Sequence, residues 1–248
     1  MTKLSSSFAA PLRGNITVPG DKSISHRSLI MGTLAVGEST ISGLLEGEDV
    51  LGTASALRAL GADIYKDDNG TWHVHGVGIG GLKQPTEPLY MGNSGTGVRL
   101  MMGLVATHPI SVSFTGDDSL TSRPMKRVTI PLEQFGATFE GNDKGTLPIT
   151  VIGTDNPLPI TYELPVASAQ VKSAVMLAGL NTPGRTTVIE KIPTRDHSER
   201  IFNYFGVPVE QDGDQIHVTG HAELKAKTMA VPADPSSASF LIVAALIC

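Results

Sequence analysis

ALRALGADI (Ala56–Ile64) reads as the last turns of a helix, a stop and the start of a strand. Its glycine, Gly61, fits the position just past a helix C-terminus, where a left-handed backbone is needed. Working outward, the stretch ends in WHVHGVG (Trp72–Gly78), whose apolar residues alternate as in a half-buried strand. The same pattern returns twice. PLEQFGATF (Pro131–Phe139) leads to LPITVIG (Leu147–Gly153), and IFNYFGVPV (Ile201–Val209) leads to QIHVTG (Gln215–Gly220). The marker glycines Gly61, Gly136 and Gly206 stand 75 and 70 residues apart.

Each stretch also opens alike. A short polar loop runs into an apolar helical segment: GDKSISHRSLIMGTLA (Gly20–Ala35), GNSGTGVRLMMGLVA (Gly92–Ala106) and ASAQVKSAVMLAGL (Ala167–Leu180). Strand-like segments follow: STISGLL (Ser39–Leu45), ISVSFTG (Ile110–Gly116) and TTVIEKI (Thr186–Ile192). Landmarks recurring in one order at near-equal spacing define a repeat of about 70 residues with the plan β-α-β-α-β-β. The fold class is therefore α/β (α+β), with three complete repeats. VPADPSSASFLIVAALI (Val231–Ile247) echoes VPGDKSISHRSLIMGTLA (Val18–Ala35) and starts a fourth unit. The chain stops inside it, so we expect the 248 residues to be the N-terminal part of a longer protein.

A net charge of −5 argues against a general nucleic-acid or membrane-surface binder. The single cysteine, Cys248, excludes an internal disulfide framework and a cysteine-based zinc site within one chain. Met1–Gly14 has no apolar core of a signal peptide, and Phe240–Cys248 is too short to span a bilayer. A cytoplasmic location is the expectation.

The chemistry is expected at the repeat openings. A helix N-terminus offers unpaired N–H groups and partial positive charge, which suit an anion. These openings add Lys22, Ser23, Ser25 and Arg27; Asn93, Ser94, Gly95, Thr96 and Arg99; and Ser168, Gln170 and Lys172. Charged turns add Arg123, Lys126, Arg127 and Arg195. The inventory favours a small substrate carrying phosphate or carboxylate. Neither a complete phosphate-binding P-loop nor a dinucleotide fingerprint is present. His73 and His75 read as strand-surface residues rather than metal ligands. His26 and His197 suit substrate binding or structural hydrogen bonding about equally.

Six segments in order carry a resemblance to a known family. They are PGDKSISHR (Pro19–Arg27), GNSGTGVRL (Gly92–Leu100), GDDSLTSRPM (Gly116–Met125), ASAQVKSA (Ala167–Ala174), TRDHSER (Thr194–Arg200) and DPSSASF (Asp234–Phe240). From about Leu12 onward the chain resembles the 5-enolpyruvylshikimate-3-phosphate (EPSP) synthases, and its SAQVKSA and TRDH wording is similar to their class II branch.

The resemblance implies an inverse β/α prism of two three-repeat domains. Residues 1–18 would be a first strand region of the other domain, 19–228 one complete domain, and 229–248 the start of the return. The implied reaction moves the enolpyruvyl group of phosphoenolpyruvate to the 5-hydroxyl of shikimate 3-phosphate, with no metal or organic cofactor. The implied partners are those two substrates, without nucleic acid or membrane, in a protein that is monomeric at full length. Lys22 matches the lysine that touches both substrates and assists proton transfer. Ser23, Arg27, Ser168, Ala169, Gln170 and Arg195 match the shikimate 3-phosphate site, Ala169 through its backbone alone. Gly95 and Arg123 match the phosphoenolpyruvate site, which Lys22 and Gln170 share, while Asn93, Thr96 and Arg99 shape its loop. The family's main acidic acid–base residues belong to the other half, so the 248 residues alone are expected to turn over negligibly. Tolerance of the inhibitor glyphosate goes, in similar class II members, with Ala at the position of Gly95. Two rivals stand beside this reading: the sister enolpyruvyl transferase acting on UDP-N-acetylglucosamine, and a non-catalytic anion-binding module.

Overall fold

The computed structural model describes Ser5, Pro11 and residues 13–247. Most of the expected first strand region and Cys248 lie outside the described residues. The first unit comprises α1 (Lys22–Leu34), β1 (Glu38–Ser42), α2 (Glu48–Ala59), β2 (Asp63–Lys66) and β3 (Trp72–His75). The second comprises β4 (Leu89–Tyr90), α3 (Gly95–Val105), β5 (Ser111–Thr115), α4 (Asp118–Thr121), α5 (Lys126–Gln134), β6 (Thr138–Gly141) and β7 (Ile149–Ile152). The third comprises β8 (Thr161–Glu163), α6 (Ala169–Leu180), β9 (Arg185–Ile189), α7 (His197–Phe205), β10 (Val209–Asp212) and β11 (Gln215–Thr219). Two further elements follow, β12 (Thr228–Ala230) and α8 (Pro235–Ile247).

Each unit lies on one four-stranded sheet, in the orders β4-β5-β7-β6, β8-β9-β11-β10 and β12-β1-β3-β2. A leading strand pairs parallel to the second strand, and the closing hairpin adds antiparallel to it. The repeat plan read from sequence therefore holds for the second and third units, with the short α4 added. The first unit differs. Residues 13–19 form no strand, and the leading position beside β1 is taken by β12, pairing Thr40 with Thr228 and Ser42 with Ala230. A parallel neighbour must arrive through a crossover, and the fourth unit supplies it, closing the ring of three sheets. Just beyond, segments 19–21 and 232–234 run side by side. Asp21 N–H donates to Pro232 O (2.8 Å) and Asp234 N–H to Pro19 O (2.9 Å).

Inside the sheets stand α1, α3 and α6. Their openings carry capping side chains: Asp21, Ser94 and Ser168 accept from the N–H groups of Ile24 (2.8 Å), Gly97 (3.0 Å) and Val171 (3.4 Å). Ser25–Leu34, Gly97–Val105 and Val171–Leu180 are buried throughout. Helices buried all round stand in the core, with the half-buried partners outside.

Two sets of glycines hold this arrangement. Gly61, Gly136 and Gly206 adopt φ of +105°, +106° and +96°, reversing the chain after α2, α5 and α7 as expected. Gly76, Gly153 and Gly220 follow the closing strands and cross over the ends of the core helices. A Cβ there would lie 2.0 Å from Ala35 O, 2.0 Å from His108 O and 1.8 Å from Thr182 O. No side chain fits.

α8 has no buried residue, and Phe240, Leu246 and Ile247 are each more than three-quarters exposed. No helix among the described residues is long and apolar enough to cross a membrane.

Gly220→Ala is expected to destabilise the domain by about 3 kcal/mol or more, because its clash is with backbone. Gly52→Ala, in open space within α2, is expected to add about 0.5–1 kcal/mol. Urea midpoints of the two variants check both signs.

Candidate functional site

The core helices bring their first turns together. Arg27, one turn into α1, is 5% exposed and reaches two other elements. Its Nε donates to Ser198 Oγ of α7 (2.8 Å), and Nη2 to Ser173 Oγ of α6 (2.7 Å). Nη1 donates back to Ser23 O (3.0 Å). Three of the five guanidinium N–H groups are thus engaged and two remain for a ligand. Burial pulls its pKa down to about 10, while the carboxylates of Glu199 and Asp21 oppose that fall.

Ser23 stands half-buried beside it, and Arg195, at the approach to α7, is exposed. Among the described residues the Arg195 side chain makes no ion pair, and its charge reaches Arg27 and His197. Lys22, about half exposed, pairs with Asp49 at the start of α2. The sequence did not single out Asp49, because an acid in the first turn of a helix is an ordinary dipole partner.

The second group lies across α6. Gln170 accepts from Arg99 Nη1 (2.7 Å) and donates to Thr96 Oγ1 (2.9 Å), so it joins the openings of α6 and α3. Arg99 also donates to Gly95 O (3.1 Å). Its place is inward, 5% exposed, in keeping with a loop-shaping role. Arg123 is held from behind by Asn93 Oδ1 and by Ser119 Oγ (3.1 Å), and Asn93 in turn donates to Asp117 (2.7 Å). A Cβ at Gly95 would lie 2.8 Å from Arg123 Nη1. Burial, with Arg127 and Arg123 near, lowers the pKa of Arg99. The two groups connect through α6. Ser173 donates to Ala169 O (2.6 Å) next to Gln170, and Ser168 caps the same turn.

Some of the inventory lies elsewhere. Ser25 is buried, donating to Asp21 O (2.8 Å) and accepting from Leu45 N–H (3.0 Å), and Lys126 lies along Gly145. Lys172 points inward, 1% exposed, and pairs with Glu190 (2.9 Å) and Glu199 (2.6 Å). A lysine on a helix buried all round can stay charged only with such partners. His26 is also structural. Thr53 donates to Asp49 O (3.3 Å), so its oxygen accepts from His26 Nδ1 (2.8 Å). His197 is half-buried beside Arg27 and Arg195, and desolvation together with those charges lowers its pKa. His73 and His75 lie on β3 as expected, bonded to or facing Glu38.

Sheets outside, buried helices inside and cations gathered at the helix openings define an α/β-prism protein. Residues 8–248 match the family model of EPSP synthase (3-phosphoshikimate 1-carboxyvinyltransferase), and the chain belongs to that family. It is 63% identical over 242 residues to a 3-phosphoshikimate 1-carboxyvinyltransferase of Novosphingobium aromaticivorans, covering 96% of this chain and 55% of the relative. One of Parvibaculum lavamentivorans is 60% identical over 251 residues, covering 99% of this chain and 56% of that protein. A solved EPSP synthase of Acinetobacter baumannii superposes with a TM-score of 0.88 at 46% identity, covering 94% of this chain and 53% of the other. The chain spans about half the length of the relatives it matches.

Burial lowers the His26 pKa from 6.5 to about 4. Its contribution to stability is therefore fully present above pH 6.5 and lost as pH falls toward 4, amounting to about 3 kcal/mol. His26→Gln is expected to flatten the pH dependence of the urea midpoint across that window, relative to the parent chain.

Proposed function

We propose that the intact protein transfers the enolpyruvyl group of phosphoenolpyruvate to the 5-hydroxyl of shikimate 3-phosphate, releasing phosphate. The observation that carries this reading is the meeting of four helix openings from three repeats, with Lys22, Arg27, Arg123 and Arg195 around them. Both substrates are polyanions, and such a face lowers the cost of bringing them together.

In this reading the group around α1 and α7 takes shikimate 3-phosphate. Arg195 and the Ser168 hydroxyl hold its phosphate with the Ala169 backbone, and Ser23 and the two free N–H groups of Arg27 hold the ring. The group around α3 takes phosphoenolpyruvate, with Arg123 as the cation and Gly95 leaving it room. Gln170, already tied to Arg99 and Thr96, lies between the two. Lys22 touches both substrates and is the catalytic residue of this half.

The acceptor oxygen bonds to C2 of phosphoenolpyruvate, losing its proton as the methylene carbon gains one. Loss of a proton from that carbon and cleavage of the bond from C2 to the phosphate oxygen then restore the double bond. Lys22 moves a proton in these steps, and the cations stabilise the departing phosphate.

The same reading gives the intact protein a second domain, entered where segments 19–21 and 232–234 run together. It places the protein in the cytoplasm as a monomer. The 248 residues alone turn over negligibly, since that second domain supplies the remaining acid–base groups.

Phosphate release assays of the intact protein and of the 248-residue chain test this. The intact protein is expected to be active, its Lys22→Ala variant to lose about 100-fold or more in kcat, and the short chain to show no measurable turnover. Near-native rates from the short chain would overturn the division of labour.

Gly95→Ala presses a methyl group on Arg123, whose flexible end must shift. The variant of the intact protein is expected to resist glyphosate more than the parent, with a higher KM for phosphoenolpyruvate. Equal inhibition constants would contradict this.

A further inference from the structure

Beneath the site lies a charged cluster that touches neither proposed substrate position. Lys172 Nζ sits between Glu190 Oε2 (2.9 Å) and Glu199 Oε1 (2.6 Å). The three side chains are 1%, 7% and 13% exposed. Replacing such a group of charges by apolar side chains often leaves a protein equally stable, so stability alone is a weak account of it. Its connections give a better one.

Glu190 follows β9, where its N–H donates to Asp214 O (2.7 Å). Its second oxygen, Oε1, accepts from the Thr194 hydroxyl. That bond pins the residue immediately before Arg195. Glu199 lies in the first turn of α7, next to Ser198, whose oxygen accepts from Arg27 Nε. Ser173 gives its proton to Ala169 O, so Ser198 must give its own to Ser173 (2.7 Å). The charge of Glu199 also favours the protonated form of Arg27. One ammonium group on α6 thus ties down both segments that present cations at this end of the site: the loop bearing Arg195, and the α7 turn that orients Arg27.

We propose that Lys172, acting through Glu190–Thr194 and through Glu199–Ser198, is the positioning residue of the shikimate 3-phosphate subsite. The inference rests on the functional reading above and adds to it a residue that contacts no substrate. A positioning role predicts an effect confined to one substrate, whereas a purely structural role would lower stability or disturb both substrates alike.

Thr194→Val removes only the hydroxyl that links Glu190 to the Arg195 loop, and Glu190→Gln removes one charge while Glu199 stays paired with Lys172. Both are made in the intact protein. The Kd for shikimate 3-phosphate by calorimetry and both KM values are measured, with the thermal midpoint alongside. Each variant is expected to raise the Kd and KM for shikimate 3-phosphate by about threefold to tenfold. The KM for phosphoenolpyruvate should stay near that of the parent in both variants, the thermal midpoint should stay near it in Thr194→Val, and Thr194→Ser should restore parental values. Unchanged shikimate 3-phosphate values in Thr194→Val, or equal rises for both substrates, would overturn the proposal. A parent protein that bound no shikimate 3-phosphate would overturn the functional reading instead.

Discussion

At Gly76, Gly153 and Gly220 the chain crosses a core helix end so closely that a single methyl group would overlap a backbone oxygen. That contact sets how far each of α1, α3 and α6 extends along the domain. Protein interiors transmit small displacements because they are packed like crystals. The C-terminal ends of the helices, fixed by the crossings, therefore fix their N-terminal openings too. Each opening then meets its neighbour, through Arg27 on Ser173 and through Gln170 on Thr96.

Repetition makes this economical. One unit buries its core helix only when the others stand beside it. The ring closes when β12 enters the sheet of the first unit. The same closure lays segments 19–21 and 232–234 next to the opening of α1. Lys22, Ser23 and Arg27 thus sit beside the point where these two segments meet.

The polar core beneath the face has a different logic. Arg27, Arg99 and Lys172 are nearly inaccessible to water, and each is charged at a cost in solvation. Arg27 and Arg99 find oxygen partners on another repeat, so their contacts report whether the repeats are in register, whereas Lys172 is held within the third repeat. Cations held this way face little reorganisation when an anion arrives.

The repeat plan, its strands and the turning glycines Gly61, Gly136 and Gly206 were legible in the sequence, because local periodicity and a positive φ leave marks within a few residues. The family segments likewise named Lys22, Arg27, Gln170 and Arg195. The sequence could not show that Lys172, three residues from the loop, turns inward to two carboxylates, since spacing does not say which face of a buried helix meets which neighbour. Nor could it show Asp49 against Lys22, or Ser198 and Ser173 around Arg27, which are pairings across 27 to 171 residues. Nor could it show that β12 supplies the leading strand of the first sheet. Local pattern is a property of the chain, but the partner of a buried charge or of a sheet edge is chosen only when distant segments compete for the same space.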